Sequence, residues 1–117
     1  MKQLAPSILS ADFICLGEQL KQLQKLCIHY LHIDVMDGMF VPSISFGMPV
    51  IASLRKHTDM FFDVHLMIDN PEVQVPWYID AGADSITVHV EVCDDTASML
   101  RTIGDAGVKA GISLNPE

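Results

Sequence analysis

The sequence predicts an α/β fold with a parallel sheet, and three observations indicate it. Short apolar stretches alternate with segments of helical spacing in the order βαβαβαβαβ, which favours parallel strands with right-handed crossovers. The strand segments are apolar on both faces, as is typical of buried parallel strands. Gly82-Ala83-Asp84 and Ala106-Gly107-Val108 both join a helix to the next strand, a weak internal repeat. Part of a (β/α)8 barrel and an open doubly wound sheet both satisfy these observations.

Five segments have the length and the apolar pattern of strands. We predict them at Leu4 to Leu9, Tyr30 to Val35, Phe61 to Met67, Ser85 to Val90 and Val108 to Leu114. The chain contains no Gly-x-Gly-x-x-Gly after the first of these segments, which disfavours a dinucleotide-binding fold. All five segments are expected in one sheet, so residues 1–117 are predicted to form a single domain.

Four helices are predicted between the strands. Capping and first-turn signals mark their starts, because Asp and Asn favour N-caps and Pro favours the first turn. The predicted helices run from Phe13 to Leu26 behind Asp12, from Pro49 to Lys56, from Pro71 to Ala81 before Gly82, and from Asp94 or Asp95 to about Ala106. The polar, Gly- and Pro-containing loop over 37–47 is long for a strand-to-helix connection, and such loops are often functional.

The composition restricts the classes of function. The net charge of -8 argues against a nucleic-acid partner, whose binding depends on basic residues. No apolar run reaches the roughly 18 residues of a membrane span, and the first residues lack the apolar stretch of a signal peptide. The three cysteines, Cys15, Cys27 and Cys93, are widely spaced and odd in number, so we expect free thiols in a reducing cytoplasm.

Polar side chains cluster at the predicted carboxyl ends of the strands, where active sites of such folds lie. His32 and Asp34 are two residues apart on one strand and therefore share a face, and Asp63 and His65 repeat the pattern on the next. Ser7 ends the first predicted strand. Two imidazoles and a carboxylate from this set predict a site for one divalent ion, such as zinc, iron, manganese or cobalt. The alternative is structural: satisfied histidines, with Asp63 accepting backbone hydrogen bonds.

Two further groups flank this cluster. His89 and Glu91 end the fourth predicted strand, and the simplest interpretation is that they orient metal-binding residues through hydrogen bonds. Met36, Met39 and Met67 lie beside the His and Asp positions. Methionine usually fills core space, but here it can also line a substrate slot without adding charge.

In combination these residues resemble the N-terminal part of the ribulose-phosphate 3-epimerase family. Three specific motifs carry the resemblance: Ala5-Pro6-Ser7-Ile8-Leu9-Ser10-Ala11-Asp12-Phe13, His32-Ile33-Asp34-Val35-Met36-Asp37-Gly38-Met39-Phe40-Val41-Pro42 and Asp63-Val64-His65-Leu66-Met67. Weaker matches are Ala81-Gly82-Ala83-Asp84 with Thr87-Val88-His89-Val90-Glu91, and Gly111-Ile112-Ser113-Leu114-Asn115-Pro116. The pattern is shared by allulose-6-phosphate 3-epimerase, which stays open as an alternative. A decarboxylase of the orotidine-phosphate type is disfavoured, because Asp34-Val35-Met36-Asp37 lacks the lysine of its Asp-x-Lys-x-x-Asp motif.

The resemblance implies a TIM (β/α)8 barrel, of which this chain would hold about five strands and four helices. It implies a divalent metal and inversion of the third carbon of a ketose phosphate through an enediolate, converting D-ribulose 5-phosphate to D-xylulose 5-phosphate in the pentose phosphate pathway. By position His32, Asp34 and His65 would bind the metal, and Asp34 would be one of two catalytic acid/bases. The substrate would contact Ser7, His65, Met36 and Met67.

The length of the chain sets a limit on this expectation. A complete barrel has about 250 residues and at least about 200, whereas this sequence has 117. In the family the second catalytic aspartate and the glycine-rich phosphate loops lie on later strands, so no residue here can take their roles. We therefore expect the chain alone to be a poor epimerase, or a non-catalytic half-barrel. Its exposed last strand edge favours pairing with another copy, and so a homo-oligomer.

Overall fold

The computed structural model describes residues 2–116 and contains a four-stranded parallel sheet. The strands are β1 (Tyr30–Met36), β2 (Phe61–Met67), β3 (Ser85–His89) and β4 (Lys109–Ser113). Their order in the sheet is β1-β2-β3-β4, which is also their order in the chain. Within these strands the chain therefore never reverses its winding direction, whereas a doubly wound sheet reverses at a switch point. The observed order favours the barrel alternative of the two that the sequence left open.

Four α-helices connect or precede the strands. They are α1 (Leu16–Lys25), α2 (Met48–Arg55), α3 (Pro71–Ala81) and α4 (Thr96–Asp105), with 3₁₀ turns at Ile8–Ser10, Phe13–Cys15 and Val90–Val92. The predicted bounds of α3 are confirmed, and Gly82 ends it with a left-handed φ of 105°. Asp95 caps α4 by accepting a hydrogen bond from the Ser98 N–H.

The start of the first helix differs from the prediction. Asp12 does accept a hydrogen bond from the Ile14 N–H, but the segment it caps is the 3₁₀ turn. Cys15 has φ of -120° and ψ of 28°, outside the helical region, so α1 begins only at Leu16. The N-cap signal was interpreted correctly, but no residue pattern predicted the break that follows it.

The predicted strand over Leu4 to Leu9 is wrong. The structure has only an isolated bridge between Ser7 and His32 there, with the His32 N–H donating to the Pro6 carbonyl at 2.9 Å. Pro6 has no N–H for a ladder, and the Ser7 hydroxyl accepts from the Leu9 N–H and starts a 3₁₀ turn. The described residues therefore form four strands rather than five.

The helices pack on one face of the sheet, and this gives the two faces different character. Residues of β1 and β2 alternate between half-buried and buried positions. The buried set packs with residues of all four helices in one core: Leu31, Ile33, Val35, Phe62, Val64 and Leu66 from the strands, and Leu20, Ile51, Val75 and Ile103 from the helices. The half-buried set, which contains the polar residues, faces the side without helices. Over the described residues, no helix has the length and hydropathy needed to cross a bilayer.

An arginine fastens the amino ends of the strands, and the sequence analysis did not identify it. One guanidinium nitrogen of Arg55 donates to an Asp84 carboxylate oxygen at 2.9 Å, and the other donates to the Thr58 and Met60 carbonyls at 2.7 Å each. The same Asp84 oxygen accepts from the Phe62 N–H, and the guanidinium lies 3.9 Å from the centre of the Phe62 ring. One planar fork thus joins α2, β2 and the turn before β3.

We expect Arg55→Ala to lower the free energy of unfolding by about 2–3 kcal/mol. It leaves the carbonyls of Gly82, Thr58 and Met60 without this donor and removes the cation beside Asp84, and the partial exposure of the ion pair reduces the cost below that of a buried one. Arg55→Lys should recover less than half of the loss, because an ammonium group has no fork. Urea denaturation measures both, with Lys56→Ala at the neighbouring exposed position as the control. Equal stability of the alanine variant and the wild type would contradict this role.

Candidate metal centre and active site

The register between β1 and β2 builds the site. The two strands pair in parallel without stagger, so each polar residue of one strand faces a polar residue of the other. Side chains two residues apart share a face, which brings both sets together on the side without helices. The opposed pairs are His32 with Asp63, Asp34 with His65, and Met36 with Met67.

Three donor atoms converge at the centre of this face. Asp34 Oδ1 lies 3.1 Å from His32 Nε2 and 3.5 Å from His65 Nδ1, and one ligand atom from each residue lies within 4.8 Å of the others. Bonds of about 2.1 Å in a tetrahedral zinc site separate neighbouring ligands by about 3.4 Å. The donor set and its spacing therefore fit one divalent ion bound by two nitrogens and one oxygen.

Asp63 orients the first of these imidazoles. Its Oδ2 lies 2.9 Å from His32 Nδ1, so in the neutral tautomer with its proton on Nδ1 the imidazole donates to this carboxylate and leaves Nε2 free to bind a cation. Carboxylate–imidazole pairs of this kind are usual around protein-bound metals. Asp63 thus contacts an imidazole, whereas the sequence had left open a carboxylate that accepts backbone hydrogen bonds.

Ser7 reaches the site although it is not part of a strand. Its hydroxyl donates to Asp34 Oδ2 at 2.5 Å, while the other oxygen of that carboxylate faces His32 and His65. The bridge to His32 fixes the backbone of Ser7 beside β1. The structure therefore places the predicted substrate-binding serine on the predicted acid/base.

His65 is bounded by a second imidazole. Its Nε2 lies 2.8 Å from Nε2 of His89, a residue that is only 6% exposed. Burial is the main cause that lowers the pKa of His65, and the neighbouring His89 lowers it further, against the opposing effect of Asp34. A neutral imidazole is the form that binds a metal, so this environment favours ligation.

Of the three methionines that the sequence placed beside the polar residues, Met36 and Met67 are adjacent and half-buried, whereas Met39 is 78% exposed on the loop that follows β1. Met36 and Met67 therefore border the polar cluster, and Met39 points away into solvent.

A separate groove of about 610 Å³ lies between α1 and α2, and no residue of the polar cluster lines it.

Ser45 ties the loop over 37–47 to the end of β1. Its hydroxyl donates to the Asp34 carbonyl at 2.7 Å and accepts from the Met36 N–H, and its own N–H donates to the Met36 carbonyl. The backbone that presents the Asp34 carboxylate is therefore fixed on its carboxyl-terminal side. Nothing in the sequence pattern distinguishes Ser45 from a surface loop serine, and the sequence analysis missed it.

Asp37 closes the same loop from its other end. Its carboxylate accepts hydrogen bonds from the backbone N–H groups of Met39, Phe40 and Asp69. Partial burial alone would raise the pKa of Asp37, but these hydrogen bonds to the charged form outweigh it and lower the pKa. The Asp-Gly turn signal located this residue, but its contact with the segment after β2 depends on tertiary structure.

Taken together, the fold and the site define an α/β protein with a candidate metal site on the open face of two parallel strands. Comparison with known proteins then shows the family: residues 3–117 match the model of the ribulose-phosphate 3 epimerase family, and the chain belongs to this family. The resemblance seen in the motifs is confirmed.

Curated relatives named ribulose-phosphate 3-epimerase cover nearly the whole chain. The Bacillus subtilis protein is 47% identical over 116 residues, which is 99% of this chain and 54% of the relative. The Rhodobacter capsulatus protein is 43% identical over 114 residues, 97% of this chain and 50% of the relative. The chain spans about half the length of the curated relatives it matches.

A solved structure supports the fold independently. The 7,8-dihydropteroate synthase from Vibrio fischeri ES114 superposes on 99% of this chain, and the match covers 46% of that protein. The TM-score is 0.59 and the sequence identity 14%, so the likeness concerns the fold alone.

We expect Asp37→Asn to weaken the acid dependence of stability. The folded-state pKa of Asp37 lies below its ordinary value of 3.8, so its contribution is complete above that pH and is lost as the pH falls through the folded-state pKa. The amide removes one accepting oxygen, so the variant should be less stable than the wild type at pH 7, with the gap closing towards pH 2–3. Urea midpoints across this range measure the effect.

The matched control for this comparison is Asp105→Asn, an exposed position at the end of α4. It should leave the gap between neutral and acid pH as in the wild type. An Asp37→Asn curve parallel to the wild-type curve would show that the carboxylate charge contributes nothing at this loop.

Proposed function

We propose that this chain supplies one half of the active site of a metal-dependent epimerase that inverts the third carbon of a ketose phosphate. The preferred reaction is D-ribulose 5-phosphate to D-xylulose 5-phosphate, the reaction class that the names of the relatives indicate. The observation that carries the proposal is the convergence of His32, Asp34 and His65 at the open face of two unstaggered strands.

His32, Asp34 and His65 would hold one divalent ion. Their nitrogen and oxygen donors suit zinc, iron, manganese or cobalt rather than a thiolate-preferring ion. When bound, such an ion withdraws electron density from substrate oxygens and stabilises negative charge that develops on them. Asp63 and Ser7 keep His32 and Asp34 in orientation for this purpose.

Asp34 is the proposed acid/base on one side of the substrate. A proton on the third carbon is acidic because the adjacent carbonyl can become an enediolate, and a carboxylate within reach can remove it. The Ser7 hydroxyl donates to Oδ2, and the Ser45 hydroxyl fixes the Asp34 backbone, so the carboxylate is held without being neutralised. Met36 and Met67 would border the carbon chain of the sugar.

Inversion requires a second proton donor on the opposite face of the carbon. Asp63, the other carboxylate beside the cluster, is engaged with His32 on the same face of the sheet. We propose that the second acid/base and the phosphate contacts belong to the further strands of a closed TIM (β/α)8 barrel, in agreement with the chain's match to about half of each relative.

We also propose a cytoplasmic location and self-association. Cys15, Cys27 and Cys93 are free thiols, as is usual in a reducing compartment. The edge strand β4 carries Ile112, which is 43% exposed, and the residue that follows the strand, Leu114, is 70% exposed. An apolar parallel edge of this kind favours pairing with a second chain.

The metal site predicts zinc binding with one ion per chain. Replacing His32 or His65 by alanine should weaken binding by at least about 100-fold, more than the 10–100-fold typical of residues that only orient ligands. Isothermal titration calorimetry with Zn²⁺ measures this. The control is His57→Ala, an exposed histidine at the end of α2 that lies outside the cluster.

Unchanged zinc affinity in both cluster variants would contradict the proposed site. Absence of zinc binding by the folded wild-type chain would favour the alternative function, a half-barrel that keeps the scaffold without the chemistry.

A single acid/base predicts proton exchange without inversion. In D₂O with added Zn²⁺, the chain should exchange the hydrogen at the third carbon of ribulose 5-phosphate while forming xylulose 5-phosphate at least about 10²-fold more slowly than an intact epimerase, because one general acid is missing. Proton NMR follows both products. Asp34→Asn should abolish the exchange, and Asp105→Asn should leave it unchanged.

Epimerisation at the rate of an intact relative would contradict the assignment of a single acid/base to this chain. Running the same exchange with allulose 6-phosphate tests the hexulose alternative, which predicts faster exchange with the longer sugar.

A further inference from the structure

The contact between His65 and His89 has an unusual geometry. The two ring planes are nearly parallel, with an angle of 18° between them, and their centroids are 5.0 Å apart. The two Nε2 atoms are only 2.8 Å apart, so they lie close to the line that joins the centroids. The rings therefore meet edge to edge in an in-plane hydrogen bond, rather than face to face.

His89 itself sits in a confined environment. The centroid of the Phe40 ring lies 4.8 Å from that of the His89 ring, and the Cys93 thiol donates to the His89 carbonyl at 3.3 Å. Its Nδ1 is buried and has no hydrogen-bond partner among the described residues. Glu91 Oε2 lies 3.5 Å from this atom, and the Glu91 carboxylate also accepts a hydrogen bond from the Asn115 N–H. A buried, unpaired ring nitrogen beside a carboxylate calls for an explanation.

The positions of the protons along the row of side chains Asp34, His65, His89 and Glu91 depend on one another. The hydrogen bond between the two Nε2 atoms needs one donor and one acceptor, so one of them holds a proton and the other a lone pair. A neutral imidazole carries one N–H, so this choice also decides which Nδ1 atom is protonated. If His65 donates, its Nδ1 is free to bind a cation, and His89 then carries its own proton on Nδ1, towards Glu91. If His89 donates instead, its Nδ1 lone pair faces the Glu91 carboxylate and His65 Nδ1 is blocked by a proton.

The two carboxylates at the ends of this row therefore favour opposite tautomers of His65. Asp34 lies 3.5 Å from His65 Nδ1 and favours the blocked form, whereas Glu91 lies 3.5 Å from His89 Nδ1 and favours the free form. The side chain of His89 is 7% exposed and that of His65 is 22% exposed. The Glu91 side chain is 34% and the Asp34 side chain 15% exposed, so the two ion pairs as a whole are similarly exposed. The His89 Nδ1 atom itself is buried without another partner, so a lone pair there would face the Glu91 carboxylate with no water to screen it, and this favours the free form of His65.

We propose that His89 and Glu91 are positioning residues that keep His65 in the tautomer whose Nδ1 lone pair is free for the metal. The proposal rests on the proposed metal site at His32, Asp34 and His65. His89 acts as the acceptor for His65, and Glu91 sets the direction in which His89 accepts. Neither residue touches the ion, so each acts only through His65.

Zinc affinity provides the first test, with two replacements at one position. His89→Phe keeps a ring against Phe40 but removes the acceptor, and zinc binding should weaken by about 10–100-fold, as for other residues that orient metal ligands. His89→Gln can return an accepting oxygen near the original Nε2, and its zinc affinity should lie within about threefold of the wild type. Equal affinity of His89→Phe and the wild type would overturn the proposal.

The second test needs no metal. Nitrogen-15 NMR of the imidazoles in the metal-free chain distinguishes the two tautomers directly. His65 should be mainly Nε2-protonated in the wild type and in His89→Gln, and should shift towards Nδ1 protonation in His89→Phe and in Glu91→Leu. A wild-type His65 that is mainly Nδ1-protonated would overturn the proposal.

The two tests separate this proposal from the proposed function. If the folded wild type fails to bind zinc, the metal site is refuted, while the tautomer measurement still decides whether His89 and Glu91 orient His65. If zinc binds but the tautomer does not respond to either replacement, the metal site stands and the positioning role is refuted. Thermal unfolding of each variant confirms that it is folded.

Discussion

The unstaggered pairing of β1 with β2 is the constraint on which the rest of the structure depends. It sets His32 against Asp63 and Asp34 against His65. Each imidazole therefore has one carboxylate two residues away on its own strand and another directly across from it on the neighbouring strand. A slip of one residue would turn the two polar side chains of the shifted strand into the apolar layer under the helices and expose that strand's core residues. The hydrophobic core therefore enforces the geometry of the polar site on the opposite face.

The polar face departs from the pattern that local packing favours. Neighbouring lone pairs and carboxylates repel, and their partial burial adds a desolvation cost. The sheet tolerates the cluster because Leu31, Ile33 and Phe62 are completely buried beneath it and Arg55 fastens the opposite ends of the strands. Proteins accept such local conflicts chiefly at functional sites, where a ligand resolves them.

The sequence predicted what depends on periodicity and on local signals. The bounds of β2 and α3 were confirmed, because alternation and a Pro start with a Gly stop are read from neighbouring residues. Leu4 to Leu9 was wrong, because Ser7 competes for the backbone of its own segment. The contacts of Asp63 with His32, of Ser45 with β1 and of Arg55 with Asp84 join segments far apart in sequence, and the spacing within one segment does not reveal which residue of another segment it will meet.

The same reasoning explains why part of a site can have a defined geometry. His32, Asp34 and His65 come from two adjacent strands, and the side chains that contact them, Asp63, Ser7 and His89, come from β2, the segment before α1, and β3. Every contact that aims the three donors therefore lies within this chain. Cation binding and the first proton transfer need only this local geometry, whereas inversion and phosphate recognition need groups that approach from the opposite side of the substrate.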